Sequence, residues 1–94
     1  MVLLFSLAGV ANAETMRLTC SEYVVLAETA VKHRDSRIPK TDAKSYLAED
    51  EFLTQVDKNL VKRVVGTVYA SPAKGKQDIA AAARKDCARL SIKK

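Results

Sequence analysis

Four groups of residues in this chain have the types and spacing that could do chemistry. Cys20 and Cys87 are its two cysteines. His33-Arg34-Asp35 sets the one histidine beside a cation and a carboxylate. Glu49-Asp50-Glu51 gathers three carboxylates, and Lys74-Gly75-Lys76 places two cations around a glycine. His33-Arg34-Asp35 spells the triplet of a kinase catalytic loop. That chemistry also needs a magnesium-binding Asn a few residues on, a Gly-rich phosphate loop and an upstream Lys, and none stands in place. A phosphate loop around Lys74-Gly75-Lys76 would need Gly at position 70 and Ser or Thr at 77; Ala70 and Gln77 are there instead. As a general base, His33 would need a partner within hydrogen-bond reach and a cleft for substrate. Asp35, close to a helix end, more simply caps or pairs locally. The three carboxylates at 49–51 are consecutive, so in a helix they point in different directions and converge poorly on a metal. There is no Gly-x-Ser-x-Gly nucleophile elbow. The expectation is a protein without catalytic activity, cofactor or metal.

The two cysteines call for a different chemistry. The chain opens with "MVLLFSLAGVANAET". Val2–Val10 is an apolar run of signal-peptide length, and Ala11-Asn12-Ala13 supplies the small-x-small pattern of a cleavage site. Residues 1–13 therefore read as a signal peptide, cut after Ala13, with 14–94 as a single domain. The run is too short to span a bilayer, which takes roughly 20 apolar residues. No Lys or Arg precedes it, so a basic n-region would lie upstream of Met1. The alternative is an apolar first helix of the folded domain. In an exported chain an even number of cysteines usually pairs. A Cys20–Cys87 bond closes 67 residues (87 − 20), for which the chain-entropy account gives roughly 4 kcal/mol as an upper value. Two cysteines and one histidine at unrelated spacings make a poor zinc site.

The elements that must position these groups are helical. Thr19-Cys20-Ser21-Glu22 fits a capping box. Cys20, Tyr23, Val24, Ala27, Ala30 and Val31 then form one apolar stripe, closed by Lys32, His33 and Arg34, cations suited to a helix C-terminus. The first helix is predicted over 20–34. Pro39 stops it, and Thr41 and Asp42 open a short second helix over 42–49 with Ala43, Tyr46 and Leu47 inward. Glu49-Asp50-Glu51 favours a third helix start, and Phe52, Leu53, Val56, Leu60, Val64 and Val68 extend its stripe over 51–70. Residues 64–70 are β-branched and include Gly66, so strand competes there. A lone strand would leave its backbone unpaired, which favours helix. "SPAKGK" is a loop. Asp78, Ile79, Ala83, Cys87 and Leu90 give a last helix over 79–91. A disulfide between the start of the first helix and the second half of the last implies that these two run antiparallel and adjacent. The expected fold is all-α, a small bundle of about four helices closed by Cys20–Cys87.

The order of these features resembles a loose set of small exported two-cysteine helical bacterial proteins. The matching residues are Cys20, Arg34-Asp35, Val68-Tyr69-Ala70-Ser71-Pro72 and Cys87. The opening "LTCSEY" (18–23) also resembles that of the periplasmic acid-resistance chaperones, small helical proteins with one disulfide; that likeness ends with the first helix. Both resemblances imply export and a disulfide.

The net charge is +5. Arg34, Arg37, Lys40 and Lys44 cluster, as do Lys62 with Arg63, and Arg84 and Lys85 with Arg89. With three Tyr, two Phe and no Trp there is no stacking platform for single strands, and no DNA-reading motif appears. A basic exported domain suits an acidic protein or an anionic envelope component. The functional expectation is a periplasmic or secreted binding protein, with no nucleic acid and no stable membrane insertion once the leader is cut. An immunity or inhibitor protein is one version, and Arg34, Arg37, Lys40 and Lys44 are the candidate docking residues. The alternative is a periplasmic acid-stress chaperone.

Overall fold

Among the described residues two helices begin at a threonine capping box and two at a proline or glycine, and three begin away from the predicted positions. The computed structural model describes residues 16–93; the leader and its cut after Ala13 lie outside the described residues. Four helices follow in order: α1 (Cys20–Asp35), α2 (Lys40–Ala48), α3 (Gln55–Tyr69) and α4 (Lys76–Arg89). The all-α expectation holds. Among the described residues the sole β pairing is an isolated bridge between Thr19 and Lys93.

α1 matches its prediction closely. Thr19 Oγ1 accepts from the Glu22 amide at 3.2 Å, and Glu22 Oε1 accepts from the Thr19 amide at 2.9 Å, closing the reciprocal box. The helix ends when the Arg37 and Ile38 amides donate back to the Arg34 and His33 carbonyls. This is a Schellman ending, which requires a left-handed residue. Arg37 is that residue, with φ 66°. α4 ends the same way on Ser91, φ 58°, with the Ile92 amide donating to the Cys87 carbonyl.

α2 begins at Lys40, two residues before the predicted start, with Pro39 in the cap position. Proline lacks an N–H and has a fixed φ, so it suits a helix start; Thr41 lies inside the helix and caps nothing. Ala43 and Ala48 are buried and Leu47 partly so, but Tyr46, expected inward, is 55% exposed. α3 begins at Gln55, not 51. Thr54 and Asp57 form a capping box, while the acidic triplet falls in the preceding turn, where Asp50 Oδ1 accepts from the Phe52 amide at 2.9 Å. The later start rotates the buried stripe to Asp57, Val61, Val64, Val65 and Val68. Leu53 still reaches the core, but from the turn. Residues 64–69 are helix, which excludes the competing strand. α4 starts at Lys76, with Gly75 as cap and Asp78 inside its first turn, three residues before the predicted start.

α1 is the hub, packing against α2, α3 and α4, and α2 also packs on α3. The Cys20–Cys87 disulfide (Cα–Cα 5.6 Å) joins the start of α1 to the end of α4. At the other end, Arg34 reaches the loop before α4, so α1 and α4 run antiparallel as expected. One core of valines, alanines, Leu18, Tyr23, Leu53, Ile79, Cys87 and Ile92 fills the space between them. No helix of the described residues is long and apolar enough to cross a membrane.

Candidate binding surfaces

The His33-Arg34-Asp35 triplet is divided among three separate tasks. Arg34 Nη1 donates to the carbonyls of Val68 (3.3 Å) and Ser71 (3.0 Å), and Nη2 donates to the Lys74 carbonyl (2.8 Å). Its Nε holds Asp35 Oδ1 at 3.0 Å. The side chain is only 10% exposed. The planar fork of a guanidinium suits this convergent set of acceptors, and its charge faces the negative end of α3. Arg34 thus ties the end of α1 to the end of α3 and to the loop before α4. Asp35 is occupied by Arg34 and does not serve His33. His33 instead stands edge-on to the Tyr46 ring, centroids 6.2 Å apart, and its Nδ1 is buried without a hydrogen-bond partner.

The other three candidate docking residues are placed differently. Arg37 and Lys40 are exposed and Lys44 is half-buried. None forms an ion pair among the described residues. The Lys44 amine lies 3.9 Å from the point where a Cβ on Gly66 would stand, so its stem lies along α3. Nearby, the Tyr69 hydroxyl donates to the Ile38 carbonyl. Burial, opposed by Arg34 and helped by Asp42, raises the Tyr69 pKa above its ordinary value. Lys74-Gly75-Lys76 forms the entry to α4 and contributes its Lys74 carbonyl to Arg34. The described residues hold no group of three His, Cys, Asp or Glu able to bind a metal ion.

Two features were not singled out from the sequence. The first is Asp57, fully buried at 0% exposure. Its carboxylate accepts the Arg17 amide on both oxygens at 3.0 Å, the Leu18 amide at 3.3 Å and the Thr54 amide at 3.1 Å. A carboxylate at a helix N-terminus that gathers amides is satisfied both by hydrogen bonds and by the helix dipole. The Thr54-x-x-Asp57 spacing was a readable capping signal; the 40-residue reach to Arg17 had no local signal. The second is an apolar groove of about 330 Å³ between the start of α1, the end of α2 and the turn before α3. Arg17 braces Phe52 of its wall, with its guanidinium 5.7 Å from the Phe52 ring centroid and Nη1 donating to the Phe52 carbonyl at 3.3 Å.

No family model, curated protein or solved structure matches the chain.

Proposed function

We propose that this chain is a non-catalytic exported binding protein, cut after Ala13, whose basic end receives an acidic partner. An immunity or inhibitor role toward a toxin or hydrolase is one form of this. One observation carries the reading: Arg37 and Lys40 present exposed, unpaired cations beside the Arg34 clamp, and Arg37 does so from a left-handed backbone position. A glycine there would relieve strain of about 1–2 kcal/mol. The left-handed conformation is the one the Schellman ending of α1 requires, and it fixes where the Arg37 side chain leaves the chain. Arg34 belongs to the scaffold beneath this surface, and Lys44 borders it. The separate commitments of His33, Asp35 and the acidic triplet give no acid–base pair or metal set around which to build a reaction. The test is affinity capture from the native envelope with the wild-type protein and with Arg37→Glu/Lys40→Glu. The wild type is expected to retain an acidic partner that the double variant loses. The same partner captured equally by both would refute the assignment.

A specific observation also favours the acid-stress chaperone as second reading. The LTCSEY opening (18–23) resembles that of such chaperones, and the disulfide ties this opening to the last helix. A chaperone of this kind would lose tertiary packing near pH 2–3. Near-UV circular dichroism across that range separates the readings: retained signal at pH 2 removes the chaperone, and lost signal with retained helix supports it.

A further inference from the structure

The groove at the start of α1 differs in chemistry from the basic end. Its walls are Leu18, Val25, Leu26, Leu47, Phe52 and Leu53. Val25 is 56% and Phe52 50% exposed, and together they leave a contiguous apolar surface open to water. Contiguous apolar surface with a polar rim marks interaction sites. The rim here is acidic: Glu22 and Asp50 line the groove, and Glu49 and Glu51 stand exposed in the adjoining turn. The cation at its edge, Arg17, is engaged with the Phe52 ring and carbonyl. The groove's volume, about 330 Å³, lies at the small end of ligand pockets, which run about 300–1,000 Å³. It suits anchor side chains better than a whole drug-sized ligand.

The wall is also held in place. Asp57 fixes the Arg17 and Leu18 amides, which sets Leu18 and, through Arg17, Phe52. Asp50 fixes the Phe52 amide. A wall ordered in advance lowers the entropy lost on binding. We propose that this groove receives a positively charged amphipathic peptide segment, which inserts one or two large apolar side chains between Val25, Leu47 and Phe52 and sets its cations against Glu22, Glu49, Asp50 and Glu51. Apolar anchors in a desolvated pocket supply the affinity, and complementary charge selects the partner. The groove lies by the first turns of α1 and the basic end beyond its last turn. At about 1.5 Å per residue, much of the length of a 16-residue helix separates the two surfaces, and they select opposite charge.

The test uses the purified oxidised protein and a fluorescent amphipathic peptide built only of leucine and lysine at helical spacing. Controls replace lysine by glutamate or leucine by serine. Binding is read by anisotropy and mapped by amide chemical shifts. The expected result is binding of the leucine–lysine peptide alone, with shifts concentrated at Val25, Leu47 and Phe52. Val25→Arg is expected to weaken it at least tenfold, and Glu49→Lys/Glu51→Lys several-fold, with circular dichroism unchanged. Arg37→Glu/Lys40→Glu should leave it intact. Equal binding of the glutamate peptide, shifts located elsewhere, or an unchanged affinity in Val25→Arg would overturn the proposal. So would tighter binding of a peptide spanning Val2–Val10, which would make the chain's own leader the occupant. A concentration-dependent dimer abolished by Val25→Arg would make the occupant a second copy and overturn it equally.

Discussion

The two ends of α3 are held by opposite means. At its N-terminus a carboxylate, Asp57, gathers amides from the segment before α1 and from its own cap. At its C-terminus a guanidinium, Arg34, gathers carbonyls from α3 and from the following loop. Each charge opposes the helix dipole at its end, and each ties irregular chain to the central packing. They differ in what stands behind them. The Asp57 end has the disulfide, the Thr19–Lys93 bridge and the core residues Leu18 and Ile92. The Arg34 end has the Schellman turn and the Tyr69–Ile38 hydrogen bond. In a chain this size, buried ions can serve as joints where apolar contacts are too few.

The largest effect is expected at Asp57. Asp57→Ala leaves several amides without their acceptor and removes a capping box, for an expected loss of about 3 kcal/mol. In a domain of this size that corresponds to roughly 15 °C in melting temperature. Arg34→Ala should cost less, about 2 kcal/mol, because its carbonyl acceptors lie nearer to water and can be rehydrated. Thermal melts of both variants check the order; a larger loss for Arg34→Ala would reverse the account of which end is the deeper joint. Arg34→Lys is expected to recover little of the loss, since an ammonium cannot reproduce the fork.

These joints also show what was legible in the sequence. The class, the helix count, the antiparallel pairing of first and last helices and the disulfide followed from periodicity and from two cysteines. Acidic residues are an ambiguous first-turn signal: Glu49-Asp50-Glu51 are turn residues, and Thr54 with Asp57 is the true start. With the start four residues later, Phe52 and Val56 lie away from the centre and Asp57 and Val61 within it. Arg34 was grouped with Arg37, Lys40 and Lys44 by sequence proximity. The structure separates it, because its acceptors come from residues 68–74, which no local pattern joins to position 34. The groove was illegible for the same reason, since its walls come from two stretches distant in sequence, 18–26 and 47–53.

Smaller effects sharpen the contrast between scaffold and surface. Arg37→Gly should stabilise the protein by about 1 kcal/mol, by relieving the left-handed arginine, while removing a docking cation. A higher melting temperature with a weaker partner would separate the two roles. At alkaline pH the expected effect is modest. Burial raises the Tyr23 pKa above its ordinary 10.0, with Asp86 adding to the shift and Arg63 and Arg89 opposing it. The folded state then holds this proton more tightly than the unfolded one. The associated stability is fully present below about pH 10 and is lost as pH rises through the folded value. Tyr23→Phe should flatten this alkaline decline in urea melts; an unchanged slope would remove Tyr23 from the explanation.

Asp57 holds the chain before α1 in place and thereby builds one wall of the groove. Amide hydrogen exchange at Arg17 and Leu18 tests it most directly. Both amides are expected to be protected in the native protein and to lose at least tenfold in protection in Asp57→Ala, with the α1 amides of Ala27 and Ala30 much less affected. Unprotected exchange at Arg17 and Leu18 in the native protein would contradict the account.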